Sequence, residues 1–180
     1  MKNSLIVTLA STTILFAATA FADNGDVAGV GQNGTSNQGY IQQTGGNGNR
    51  AYIGQVGNSN LAMSVEQGNA NQAVISQNGS LNQVSSYKYG DRNITSVIQG
   101  GNANVLEPTY SIGNDNYSYV TQYGNSNVVS QGTFGNSNYS NISQNGNSNQ
   151  ADVVAYGNSN ITNIGQIGNS NTASISQGAR

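Results

Sequence analysis

Glycine returns every 11 residues along most of this chain, and that spacing excludes most folds at once. Gly57, Gly68, Gly79, Gly90 and Gly101 are 11 apart, as are Gly113, Gly124, Gly135, Gly146, Gly157 and Gly168; only the step from Gly101 to Gly113 is 12. Three residues after each glycine stands an asparagine, running from Asn60, Asn71 and Asn82 through Asn93, Asn104, Asn116, Asn127, Asn138, Asn149 and Asn160 to Asn171, with Asn37 and Asn49 upstream. Helix is disfavoured by glycine and asparagine at that interval, and between the turns apolar residues alternate with polar ones. Each unit reads as a strand of about seven residues and then a Gly-Asn-Ser-Asn type of turn, where Gly and Asn tolerate positive φ.

Within a unit, side chains alternate faces. Gln72-Ala73-Val74-Ile75-Ser76-Gln77-Asn78 sends Ala73, Ile75 and Gln77 to one face, with Asn71 before them. Taking every second unit reveals a period of 22. Its third inward position holds Gln32, Gln55, Gln77, Gln99, Gln122, Gln144 and Gln166, and its second holds Ile53, Ile75, Val97, Val120, Ile142 and Ile164. The first is small or compact: Ala51, Ala73, Thr95, Ser118, Ser140 and Thr162. The intervening units are looser, their third position reading Gln43, Glu66, Lys88, then Tyr110 or Ser111, Thr133, Ala155 and Gln177.

A strand-turn-strand-turn of 22 residues is one rung of an all-β, two-sheet β-solenoid (β-helix). Residues one rung apart then stack about 4.8 Å apart. Glutamine and asparagine suit such stacking, because each amide donates to one neighbouring rung and accepts from the other. The predicted ladder residues are Gln55, Gln77, Gln99, Gln122, Gln144, Gln166 and Gln177; Asn60, Asn82, Asn104, Asn127, Asn149 and Asn171; and Ile53, Ile75, Ile142, Ile164 and Ile175. The turns are assigned to Gly57, Gly79, Gly101, Gly124, Gly146 and Gly168. Glu66 and Lys88 fall 22 apart at one inward position, where they can pair; an ion-pair switch is the alternative reading. Around Pro108 the pattern breaks, either as a plain bulge or as a gatekeeper against premature association. Outward Tyr117, Tyr119, Tyr123 and Tyr139 read as cross-strand support, with an adhesive strip as the alternative.

Composition removes several function classes. Charged residues are 7 % and the net charge is −2, so no strong field draws in nucleic acid or an anionic membrane. Neither Cys nor His occurs, which removes disulfides, thiolate zinc sites, cysteine nucleophiles and every His-based triad. No catalytic, cofactor or metal residue is assigned. Lys2, the apolar run from Leu5 to Phe16 and the Ala20-Phe21-Ala22 site predict an export signal over 1–22, with Asp23 first after cleavage. Residues 23–37 are expected to lead into the first rung and 38–180 to form the solenoid, six or seven rungs counted from Asn37 to Asn171. The last strand keeps Ala173, Ile175 and Gln177 inward with no evident cap. An edge carrying the same code is a template for another copy, so the expected outcome is head-to-tail, amyloid-forming polymerisation.

The repeat resembles that of the curlin family, Ser-x5-Gln-x-Gly-x2-Asn-x-Ala-x3-Gln. From Asn160 the chain gives Gln166, Gly168, Asn171, Ala173 and Gln177; from Asn49, Gln55, Gly57, Asn60 and Ala62, with Glu66 at the end; from Asn71, Gln77, Gly79 and Asn82, with Val84 in place of Ala. The leading Ser is Asn in all three. The resemblance implies a curli fibre subunit, exported through periplasm and outer membrane to the cell surface, serving biofilm matrix and adhesion. Its implied partners are itself, a nucleator or major curlin counterpart, and the curli secretion machinery. A major subunit is favoured, with a nucleator as the alternative. A monomeric ligand-binding solenoid is the second alternative. A glycan-cleaving β-helix is disfavoured because Asp91, Glu107, Asp115 and Asp152 are scattered rather than clustered.

Overall fold

A computed structural model describes residues 4–9, 18–21 and 25–178. Sixteen strands follow one another: β1 (Ser4–Leu9), β2 (Ala18–Phe21), β3 (Val27–Thr35), β4 (Gln38–Thr44), β5 (Arg50–Asn58), β6 (Leu61–Gln67), β7 (Gln72–Ser80), β8 (Gln83–Tyr89), β9 (Ile94–Asn102), β10 (Val105–Ile112), β11 (Tyr117–Asn125), β12 (Val128–Phe134), β13 (Tyr139–Asn147), β14 (Gln150–Tyr156), β15 (Ile161–Ile167) and β16 (Thr172–Gly178). Odd-numbered strands make one eight-stranded parallel sheet and even-numbered strands the other. The fold is a two-sheet β-solenoid with one strand per sheet in each rung.

The register is that of the 22-residue period: Gln77 lies between Gln55 and Gln99, and Gln144 between Gln122 and Gln166. The core between the sheets is thin. The first sheet contributes Ala28, Val30, Ala51, Ile53, Ala73, Ile75, Val97, Val120 and Ile142, and the second Ile41, Ala62, Val84, Leu106, Val129, Ala151 and Val153, each 2 % exposed or less. Burying each Val, Ile or Leu contributes roughly 1.5–3 kcal/mol. β3 opens at Val27, inside the segment 23–37 that leads into the first rung, and Ala28, Val30 and Gln32 occupy its three inward positions. Of the expected leader, Ser4–Leu9 and Ala18–Phe21 pair with β3 and β4. The expected cleavage junction after Ala22 lies outside the described residues.

Turn chemistry departs from expectation in one respect. Positive φ falls on the glycine and on the third turn residue, not on the asparagines: Ser59, Ala70, Leu81, Arg92, Ala103, Asp115 and Ser126 all lie between 54° and 60°. The glycine is fixed by its neighbour as well as by φ. A Cβ built on Gly124 would land on the carbonyl oxygen of Gly146, and one on Gly79 on that of Gly101. Rungs approach so closely there that no side chain fits, so Gly57, Gly79, Gly101, Gly124 and Gly146 are obligatory.

The irregular unit is a bulge. β10 slips register between Leu106 and Thr109 against β8, and between Leu106 and Tyr110 against β12. Glu107 and Pro108 are extruded to the exposed side, which keeps proline's missing donor out of the ladder. Thr109 and Ser111 become the buried residues and Tyr110 points outward, which resolves the two readings of the inward position in favour of Ser111.

Candidate functional site

The features that set this chain apart are its buried polar columns and the edges where they stop. Gln32, Gln55, Gln77, Gln99, Gln122 and Gln144 each donate from Nε2 to the Oε1 one rung up, ending at Gln166, over 2.6–3.0 Å. The second Nε2 hydrogen reaches the carbonyl that opens the preceding strand of the other sheet: Gln55 to Gln38, Gln77 to Leu61, Gln99 to Gln83, Gln122 to Val105, Gln144 to Val128 and Gln166 to Gln150. Each amide thus holds rung to rung and sheet to sheet. A made bond of this kind contributes ~1 kcal/mol, but an unmade buried one costs ~1–3 kcal/mol, so the column enforces register more than it adds stability.

Asparagine runs the opposite way. Asn127 donates its backbone N–H and Nδ2 to Oδ1 of Asn104, at 3.1 and 3.0 Å, and its Nδ2 also reaches the Gly146 carbonyl at 2.8 Å. Asn149 above does the same to Asn127, at 3.0 Å for both bonds. One such column lines each turn: Asn37, Asn60, Asn82, Asn104, Asn127, Asn149 and Asn171 at one, and Asn49, Asn71, Asn93, Asn116, Asn138 and Asn160 at the other. The second column begins at Asp26, whose carboxylate accepts the Asn49 backbone N–H at 2.8 Å. The glutamine, asparagine and isoleucine residues expected to form ladders, from Gln55 to Gln166, lie in these stacked columns. Gln177, Ile175 and Asn171 sit in the last rung and stay partly exposed.

In the second sheet the column holding Gln43 and Gln177 is broken by charge. Lys88 Nζ lies 3.3 Å from Glu66 Oε1, with both side chains fully buried. Glu66 Oε2 takes a 2.8 Å bond from Gln43, and Lys88 donates to Ser86 at 3.3 Å. Burial pushes the Glu66 carboxyl up, partly offset by the Lys88 charge, and pushes the Lys88 ammonium down, partly offset by Glu66. The second sheet also holds a buried polar residue that the repeat did not announce. Gln131 accepts from Ser118 Oγ at 2.9 Å while its Nε2 finds no partner.

Outside the core, three aromatic contacts span neighbouring rungs. Tyr87 stacks on Tyr110 with centroids 5.3 Å apart, Phe134 on Tyr156 at 4.9 Å, and Tyr119 tilts against Tyr139 at 5.7 Å. Only in the last pair were both residues singled out in the sequence as outward tyrosines; the 12-residue unit hides the register of Tyr87 and Tyr110, while Phe134 and Tyr156 lie one period apart beyond it. Shallow grooves on the first sheet, about 350 Å³ each, run over Gly31 and Gly54 and are lined by uncharged residues. Among the described residues no group of His, Cys, Asp and Glu is placed to hold a metal ion, and no helix is long and apolar enough to cross a membrane.

The far edge of β16 pairs with no strand among the described residues, and Ala173, Ile175 and Gln177 are only partly covered there. At that end Asn160 and Asn171 carry Oδ1 atoms with no asparagine above them, and Gln166 has no glutamine above it to receive its amide. No curated protein matches the chain. Residues 135–168 match the family model described as the curlin associated repeat. The columns that cross those residues, Gln144–Gln166 and Asn138–Asn160, continue with the same bonds through the other rungs. The chain therefore carries a curlin associated repeat over residues 135–168, and its other rungs repeat the bonding of that segment.

Proposed function

We propose that this chain is a structural subunit that polymerises head to tail into an extracellular, curli-type amyloid fibre, in the role of a major subunit. Curlin family members are extracellular fibre subunits and not enzymes. The observation that carries the reading is the state of the last rung. β15 presents the compact, aliphatic and glutamine positions that recur along the first sheet, and β16 presents Ala173, Ile175 and Gln177, with hydrogen-bonding groups left open. A second copy whose β3 and β4 settle on β15 and β16 continues the glutamine and aliphatic columns in register: Ile164 beneath Val30, Gln166 beneath Gln32, Ile175 beneath Ile41. The regular rungs persist to Gln177, which favours a major subunit over a nucleator.

Residues 1–22 act, in this reading, as an export signal. Ser4–Leu9 and Ala18–Phe21 pair along the edges of β3 and β4 that an incoming copy needs, so removing the leader frees the receiving end. The fibre then supports surface adhesion and a biofilm matrix, assembled from copies of this chain together with the family's nucleating and export partners. Purified residues 23–180, incubated at micromolar concentration, give fibres that bind thioflavin, seed fresh chain and diffract with a spacing of about 4.8 Å along the fibre axis. A chain that stays a monodisperse monomer under those conditions excludes this function.

A further inference from the structure

Among the described residues, Asp26 is the place where the turn column fails to match across the joint between two such copies. In both turn columns every residue above the first gives its backbone N–H and side-chain N–H to the oxygen below. Extending the register places Asn37 of the upper copy over Asn171, where backbone N–H and Nδ2 meet the open Oδ1. It places Gln32 over Gln166, where the unclaimed amide hydrogen meets Oε1. Asp26 falls over Asn160. Its backbone N–H can donate there, but an ionised carboxylate has no hydrogen to give. Two oxygens then face each other in a site that the joint closes off from water.

Within one molecule the same residue is well suited. It stands at the foot of its column, receives the Asn49 backbone N–H at 2.8 Å, and lies 3.4 Å from Asn49 Nδ2. An acceptor-only group is right for the rung above and wrong for a rung below. The charged groups around it do not supply the missing donor. Glu66 is itself acidic, and Lys88 lies beyond it, paired with Glu66 Oε1 at 3.3 Å. Arg50 of β5 is exposed on the outer face. β15 and β16, which would pack beneath it, hold no titratable side chain.

We infer that Asp26 gates subunit joining: its ionised carboxylate opposes closure of the joint onto Asn160, and a proton or an amide at that position lets the column run through. This rests on the head-to-tail reading above. Protonation converts one carboxylate oxygen into a hydroxyl that donates to Asn160 Oδ1, so the proton comes from solvent and stays in the joint.

The test compares elongation from wild-type fibre seeds for residues 23–180 and for Asp26→Asn, at neutral pH and near pH 3, where carboxyl groups are protonated. With the unmatched buried acceptor removed, Asp26→Asn elongates ~10-fold faster than wild type at neutral pH and at about the same rate in acid. Using the ratio cancels the acids the two chains share. Asn37→Asp moves the same mismatch to the other turn while keeping the acceptor for Asn60; it elongates more slowly than wild type at neutral pH and recovers in acid. Equal rates for Asp26→Asn and wild type at both pH values, or an unslowed Asn37→Asp, overturn the gate while leaving the fibre intact. Failure of the wild type itself to form fibres removes the polymer reading instead.

Discussion

At the scale of single residues, two glycine classes separate. Gly124 has φ of 111° and no room for a Cβ, because the Gly146 carbonyl occupies that space; Gly165 faces solvent with nothing within 4 Å. Gly124→Ala loses more than ~2 kcal/mol, from backbone strain and from displacement of the neighbouring rung. Gly165→Ala is neutral or gains up to ~1 kcal/mol by stiffening the unfolded chain. Denaturant midpoints of the folded chain, or of preformed fibres, discriminate the two. The 11-residue spacing made Gly124 visible in the sequence but not the reason for it, since the clash is with a residue 22 positions away. The third turn position was not legible at all. Ser59, Leu81 and Arg92 share a left-handed conformation that none of those residue types announces, while the asparagines beside them, which do favour it, are held in the columns instead.

Among the elements, β6 and β8 carry the one buried ion pair of the described residues, and its pH dependence has two opposed halves. The folded-state pKa of Glu66 is raised above its unfolded value, so a buried Glu66 weakens the fold as pH rises out of the ordinary carboxylate range. That of Lys88 is lowered, so a buried Lys88 weakens the fold as pH falls below the ordinary lysine range. Removing one partner exposes the half that remains. Lys88→Gln leaves Glu66 alone, and its stability increases toward acid. Glu66→Gln leaves Lys88 alone, and its stability increases toward alkali. Each single change costs ~3–5 kcal/mol at neutral pH, whereas Glu66→Gln with Lys88→Gln together match or exceed the original chain, because amides continue the column from Gln43. Denaturant titrations of the three variants across the pH range measure this; singles with the same pH slope would contradict the assignment. The pairing itself was legible because 66 and 88 differ by one period. The Tyr87–Tyr110 stack was not, because the extra residue beside Pro108 displaces Tyr110 by one from the place the count gives it; Phe134 and Tyr156 are one period apart, but nothing in their spacing distinguishes a ring stack from any other outward pair.

For the whole molecule, the direction of the backbone bonds makes the two ends unequal. Outward residues give their N–H to the rung above, as Gln150 does to the Asn171 carbonyl at 2.8 Å and Tyr139 to the Asn160 carbonyl at 2.8 Å. By the alternation of a strand, Thr172, Ser174 and Ser176 of β16 therefore aim their N–H groups at the open edge. Proline at Ser174 removes a donor that no bond within the molecule uses, and its ring projects where a second copy must approach. Ser174→Pro consequently folds to the same β-rich chain by circular dichroism yet does not propagate. Its β3 and β4 are untouched, so it still settles on the β15–β16 end of a wild-type fibre and then presents a blocked edge. A substoichiometric dose arrests growth at that end while the opposite end, which needs an intact β16 from each incoming copy, continues on wild-type chains alone. Imaging of elongation from labelled seeds shows growth converted from two ends to one. Inhibition that requires equimolar variant, or that stops both ends equally, would mean that subunits do not join through β15 and β16.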